Sequence, residues 1–244
     1  MTLSPTMMLD EVASYLSMTE REVLKLVRSG QLPATKQGES WRFLREEVDH
    51  WLEEQIPHFP SRELHGVEKA PAFLGGKPIG GKSVPILEDL LIPAGVELNA
   101  HARTRASVLE ELVNVLDRTQ RLQDPDSLLT AVREREDLVT TALDGGVAIP
   151  HPRKRLDWVV TDESLVFVRT VRGIPFGAED GALTDLFFLL VCRDDRRHLQ
   201  VLARMSRILK DNEFLQDLRC CDDSEEVCAL LRAREESLVS HLRN

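Results

Sequence analysis

The stretch Asp144-Gly145-Gly146-Val147-Ala148-Ile149-Pro150-His151-Pro152-Arg153 decides how this chain is read. Two glycines permit a tight turn and a close backbone approach. The short apolar run after them reads as a strand that carries His151 to the end or edge of a sheet. Pro150 restricts the backbone just before the histidine and removes one N–H. Arg153, Lys154 and Arg155 follow. A neutral imidazole nitrogen held in such a place is a competent nucleophile toward a phosphoryl group. Arginine side chains can neutralise the oxygens of that group.

A second histidine has a comparable setting. His198 follows the apolar run Leu186 to Val191 and opens a predicted helix, Arg197 to Leu209. N–H groups and the dipole at a helix start favour a bound phosphate. The run 186–191 is apolar throughout, which suits a central strand. Val147 to Ile149 and Ser164 to Val168 read as further strands. Arg105 to Leu116, Pro125 to Leu138 and Ser224 to Leu231 read as helices. Strands mixed with helices over this length imply one α/β domain. Taken without further context, two histidines and some arginines are a modest signal, since a histidine in a mixed domain is more often a surface or satisfied core residue.

The composition sets outer limits. The chain has 244 residues, 42% apolar and 30% charged, with a net charge of -10. That length suits one large domain or two unequal ones. The acidity argues against a uniformly basic nucleic-acid binder. Four cysteines, at 192, 220, 221 and 228, are too few and too clustered for a secreted disulfide framework, so reduced thiols in a cytoplasm are expected. Cys220, Cys221 and Cys228 have no standard metal-ligand spacing, and neither metal nor cofactor is expected. Cys192 closes an apolar strand with no phosphate loop after it and reads as a buried structural thiol. No apolar run approaches a membrane span, and no signal peptide is evident.

The chain divides in three: 1–56, 57–84 and 85–244. The middle segment holds four Pro and five Gly without an apolar period and reads as a linker. In the first, Leu9, Val12, Ala13 and Leu16 follow helical spacing, and Ser17-Met18 makes a turn. Thr19 caps a second helix, with Glu22 three residues on as a capping box. Ser29-Gly30 stops it. A hairpin follows, with Leu32 to Lys36 and Trp41 to Phe43 as its arms. Arg45 to Gln55 returns to helix, with Val48, Trp51 and Leu52 inward. This is a helix-turn-helix with a wing. The segment is acidic overall, yet from Arg21 to Arg45 it holds six basic and two acidic residues. Arg21, Lys25 and Arg28 share a helix face, and Lys36 and Arg42 lie on the wing. A basic helix face beside a basic hairpin suits docking in a DNA groove. The plainer alternative is a solvated helix face.

Two resemblances sharpen this reading. Residues 9–54, through L-x-E-V-A-x-Y-L, V-x-x-L-V-R-x-G-x-L-P-A and W-R-F-x-R-x-x-V-x-x-W-L, resemble the excisionase-type, MerR-like winged helix-turn-helix module. Such modules usually bind double-stranded DNA, some bind protein, and they often act as dimers, although no heptad seam is visible here. Residues from about 86 to 234 resemble the enzyme IIA domain of the phosphoenolpyruvate-dependent phosphotransferase system, of the fructose/mannitol and nitrogen-regulatory type. The match rests on Ala131-x-x-x-Arg135-Glu136, Gly146-Val147-Ala148-Ile149-Pro150-His151 and the His198-Leu199-x-x-Leu202-Ala203 run with Ile208, Leu209 and Asp211. It implies a mixed sheet flanked by helices. It also implies that His151 accepts a phosphoryl group from a histidine phosphocarrier protein. His198 would be the second pocket histidine, Arg135 would pair with phosphate oxygens, and Thr141 would add a hydroxyl; Arg153, from its place just past His151, is expected to add a phosphate contact. Two residues depart from the family pattern: Pro152, which offers no N–H, and Asp144, which adds negative charge.

A regulatory phosphotransfer protein is therefore the leading expectation, with the N-terminal module coupling the phosphorylated state to DNA or protein. A DNA-binding regulator whose IIA-like domain is a non-transferring interaction module is the alternative.

Overall fold

A computed structural model describes residues 5–16, 18–69 and 86–240. Ser17, in the expected first turn, lies outside them, as does most of the expected linker.

The N-terminal module begins with strand β1 (Thr6–Met8) and helices α1 (Leu9–Leu16) and α2 (Glu20–Arg28). Thr19 caps α2 through the full capping box with Glu22, and Ser29 closes it. The wing is β2 (Thr35–Gln37) with β3 (Ser40–Leu44), followed by α3 (Arg45–Gln55). β3 is the centre of a three-stranded antiparallel sheet, order β1-β3-β2. β1 was not expected from sequence. Its three residues pair with Arg42 to Leu44, far along the chain.

The linker expectation needs amending. A single 3₁₀ turn, Ile56–His58, leads to helix α4 (Ser61–Lys69) inside the Pro/Gly-rich segment. Leu64 and Val67 are buried from it. It stands because its contacts are tertiary: Arg196 donates to the Val67 carbonyl at 2.7 Å, and Glu68 pairs with Arg204 and Arg207 at 2.9 and 2.8 Å.

The α/β domain comprises β4 (Val96–Ala100), α5 (Arg105–Arg118), α6 (Pro125–Leu138), β5 (Ala142–Leu143), β6 (Val147–Ala148), β7 (Ser164–Ile174), β8 (Thr184–Val191), α7 (Asp195–Ile208), α8 (Asn212–Cys220) and α9 (Ser224–Ser240). The five-stranded order β4-β7-β8-β6-β5 puts β8 in the middle, as its apolar run predicts. β7 and β8 are antiparallel, while β4–β7 and β6–β8 are parallel, so the sheet is mixed.

Alternate residues of the central strands serve different faces. Val166, Val168, Phe187, Leu189 and Val191 pack with α5 and α6. Leu165, Phe167, Leu186, Phe188 and Leu190 pack toward α7, α8 and α9. That second cluster continues into Trp51, Ile56, Leu64 and the core of the winged module. The winged module, α4 and the α7 side of the sheet therefore share one apolar body. Among the described residues no helix is long and apolar enough to cross a membrane.

Candidate functional site

The turn feeding His151 is built as the sequence suggests. Gly145 and Gly146 have φ of +84° and +80°, a region that strains any residue with a Cβ. A Cβ on Gly146 would also lie 2.9 Å from Arg219 Nη2. Arg219 locks the turn, donating to the Gly145 carbonyl at 2.7 Å and to both Asp185 oxygens. β6 then runs beside β8, and Pro150 accepts from the Leu190 N–H at 3.0 Å. His151 leaves the strand end buried.

Its ring is fixed from behind. Nδ1 lies 2.7 Å from the Ile149 carbonyl, an acceptor only, so Nδ1 carries the proton. Nε2 is therefore the nitrogen that faces the site. The His198 ring stands beside it, with centroids 4.9 Å apart. His198 is reached from α7, whose start is capped by Asp194 accepting from the Arg197 N–H at 2.8 Å. Burial, with the Arg155 charge behind it, pushes His198 down to about 3, so the ring is neutral near pH 7.

Two guanidinium groups complete the cluster. Arg135, buried on the last turn of α6, donates to the Val139 carbonyl at 2.8 Å and points its Nε inward. Arg155 is anchored to Asp195 at 3.0 Å and to the Arg153 carbonyl at 2.9 Å.

At the centre of these four groups stands a residue of the other module, Glu53 of α3. Its carboxylate lies 2.7 Å from His151 Nε2, 3.1 Å from Arg135 Nε, 3.3 Å from Arg155 Nη2 and 3.3 Å from His198 Nε2. Its side chain is 4% exposed. Burial works to raise its carboxyl, but the charge and hydrogen bond of His151, with His198 close beside, prevail and hold it well below the usual range. Glu53 is thus ionised.

Sequence reasoning brings together His151, His198 and Arg135, and the structure unites all three. Thr141 is buried close by, but its hydroxyl donates to Glu136 at 2.6 Å and its N–H to the same carboxylate at 3.0 Å. These bonds shape the loop before β5, and Thr141 lines the same cleft as His151. Arg153 is exposed and lends only its carbonyl, while Arg155, two residues on, enters the cluster. Glu53 escapes sequence reasoning altogether. It is one acid among six between Glu46 and Glu63. The available signal is its position one residue past Leu52, on a helix whose Val48, Trp51 and Leu52 are all buried.

Glu53, His151 and His198 offer one ligand atom each within 4.8 Å, a spacing that would admit a metal ion. Arg135 and Arg155 bond the same carboxylate, so the cluster is set for an anion and resists a second cation. A cleft of about 830 Å³ opens beside His151, lined by Glu54, His58, Thr140, Asp144, Glu179 and Lys210 among others. Cys192, one residue past β8, is no rival nucleophile: burial and nearby Glu163 push it up to about 12.

On the winged module Arg21, Lys25, Arg28 and Lys36 are exposed, and Arg42 is half-buried. Lys36 lies over the Trp41 ring at 5.9 Å.

Comparison with known proteins agrees with this architecture. Residues 90–234 match the family described as "Phosphoenolpyruvate-dependent sugar phosphotransferase system, EIIA 2", and residues 7–56 match "Helix-turn-helix domain". A nitrogen regulatory protein of Bradyrhizobium diazoefficiens is 30% identical over 149 residues, 59% of this chain and 94% of that protein. The fructose-specific EIIABC component of Bacillus subtilis is 24% identical over 152 residues; the match covers 62% of this chain and only 24% of that longer protein. The crystal structure of nitrogen regulatory protein IIA-Ntr from Neisseria meningitidis superposes with a TM-score of 0.54 at 26% identity, covering 59% of this chain and 98% of that one. The chain belongs to the EIIA type 2 family of the phosphoenolpyruvate-dependent sugar phosphotransferase system, with a helix-turn-helix domain placed before the EIIA domain.

Proposed function

We propose that the chain is a regulatory phosphotransfer protein in which His151 Nε2 takes a phosphoryl group from a histidine phosphocarrier protein. The observation that carries this reading is the pinned Nδ1 of His151, which leaves Nε2 facing Arg135, Arg155 and His198. The two arginines neutralise the equatorial oxygens. Neutral His198 donates one hydrogen bond to them. Thr141 acts at one remove, through Glu136. Arg153 contributes its carbonyl to the placement of Arg155.

The helix-turn-helix module converts the phosphorylated state into binding. Its ligand is double-stranded DNA, contacted by Arg21, Lys25, Arg28, Lys36 and Arg42. A phosphoryl group adds about two negative charges, enough to alter an interdomain contact.

The test is incubation with phosphoenolpyruvate, enzyme I and the histidine carrier, followed by a search for acid-labile phosphate. Label is expected on the wild type and absent from His151→Ala. Label that survives this substitution overturns the assignment. DNA binding measured across salt concentrations is expected to lose about 3 from its log–log slope when Arg21, Lys25 and Arg28 are neutralised together. An unchanged slope would redirect the module toward protein partners.

A second reading draws on Glu53, which stands where a phosphoryl group would sit. On that reading the EIIA domain is a non-transferring interaction module of a DNA-binding regulator, and no variant of the chain takes label.

A further inference from the structure

We propose that Glu53 is an internal stand-in for the phosphoryl group: it plugs the acceptor pocket from α3, silences His151 while it is there, and is expelled when His151 is phosphorylated. The inference rests on the phosphotransfer reading above and specifies the regulation of that same site.

Three observations carry it. The first is position. The Glu53 carboxylate takes every group the phosphoryl oxygens would need, namely Arg135, Arg155 and His198, and closes on Nε2 at 2.7 Å. A phosphorus atom bonded to Nε2 would lie inside that distance, and its oxygens would collide with Glu53 Oε1. The second is protonation. Both nitrogens of His151 face acceptors, Ile149 O and ionised Glu53. Both hydrogen bonds require both nitrogens to carry protons. That ring has no lone pair with which to attack phosphorus. The third is origin. The plug belongs to the winged module, 98 residues away in sequence from the histidine it covers.

The sequence of events follows. Glu53 withdraws, and the Nε2 proton passes to water. Nε2 then supplies the electron pair for the new P–N bond. The P–N bond of the donor's phosphohistidine breaks, and the donor imidazole leaves with that pair. The resulting phosphoryl dianion pairs with Arg135 and Arg155 and repels the carboxylate. Re-entry of Glu53 is blocked by both charge and volume. Motion is confined to the winged module, because α4 keeps its own buried pairs from Glu68 to Arg204 and Arg207. Phosphorylation thus frees α3, and with it the helix-turn-helix, from the face of the EIIA domain.

The experiment uses the full chain as wild type, Glu53→Gln, Glu53→Ala and His151→Ala. Two quantities are read: the initial rate of labelling from the phosphorylated histidine carrier, and amide hydrogen exchange in residues 45–55 and 61–69. Both Glu53 variants are expected to take label at least tenfold faster than wild type. Exchange in 45–55 should rise about tenfold or more on phosphorylation of the wild type, and likewise in Glu53→Gln without phosphorylation. Exchange in 61–69 should stay unchanged. Equal labelling rates in wild type and both Glu53 variants, or label on His151 with residues 45–55 still protected, would overturn the plug while leaving phosphotransfer intact. An equal rise across 61–69 would signify general loosening and would also overturn it. Absence of label from wild type and both Glu53 variants would refute the phosphotransfer reading itself, and the plug with it.

Discussion

Two buried carboxylates from the N-terminal third of the chain reach across to arginines of the EIIA domain. Glu68, on α4, meets Arg204 and Arg207, and Arg204 is shared with Glu235 at 2.5 Å. Glu53, on α3, meets Arg135 and Arg155. Both side chains are almost wholly buried, at 3% and 4% exposure. The electrostatics are alike, but the company differs. The ion-pair partners of Glu68 are both arginines. Around Glu53 stand two histidines, one of them with its far nitrogen already fixed. On the proposal made above, the same kind of ion pair makes a permanent strap in one place and a releasable contact in the other.

The largest effect should come from breaking the strap. Glu68→Ala leaves Arg204 and Arg207 without their shared partner and is expected to cost about 3–5 kcal/mol in urea unfolding. A loss below about 1 kcal/mol would mean that α4 contributes little to holding the modules together. A pH series separates the other contact next. His198 is lowered in the folded state to about 3, so the unfolded chain binds the extra proton between that value and about 6.5. Stability contributed by its neutral form is therefore lost as pH falls through this window, by up to about 3 kcal/mol near pH 4.5. Opposing it are carboxyls raised by burial, Glu136, Asp195, Glu235 and, to about 6, Asp49, to which the Tyr15 hydroxyl donates; the contribution of Asp49 is lost as pH rises through that value. In His198→Asn the acid-side loss should shrink and the Asp49 slope should remain.

Smaller effects sharpen the contrast. If the Glu53 pocket is an anion site, Glu53→Ala should be stabilised by inorganic phosphate, about 1.4 kcal/mol when phosphate is roughly tenfold above its dissociation constant. Glu68→Ala should show no such gain in the same titration. At the low end lies Lys154–Glu46, a further pair across the modules at 3.6 Å, with both side chains about three-quarters exposed. Glu46→Gln is expected to change stability by less than about 0.5 kcal/mol. A larger value would show that exposed charges also take part in docking the module.

What could be read from sequence follows the range of the forces involved. The Thr19–Glu22 box, the glycines at 145 and 146 and the unbroken apolar run of β8 are local patterns, and each appears as expected. β1 depends on a partner strand more than thirty residues on, and three residues carry no periodicity of their own. α4 has two buried apolar residues, Leu64 and Val67, in a segment rich in helix breakers, so only its ion pairs and packing against α7 reveal it. In the site, His151 announces itself by the run before it. Arg155 supplants Arg153 inside the cluster because the segment after Pro152 has no regular period from which to judge side-chain direction. Glu53 carries only a faint mark, its place one residue past buried Leu52 on α3. Its significance lies in the groups it meets, all of them on the far side of the Pro/Gly-rich segment.

The apolar cluster that runs from Trp51 and Ile56 through Leu64 to the underside of the sheet bears on how such a protein could have been assembled. A regulator joined by a bare tether can be cut away or exchanged freely, since neither half has grown to fit the other. Here the severed EIIA domain would present the seat of α3 and α4 as an oily scar, and the severed module would lose the support of its last helix. The two halves have ceased to be interchangeable parts. A foreign helix-turn-helix grafted onto this EIIA domain would need to bring its own matching surface, or be soluble only by good fortune.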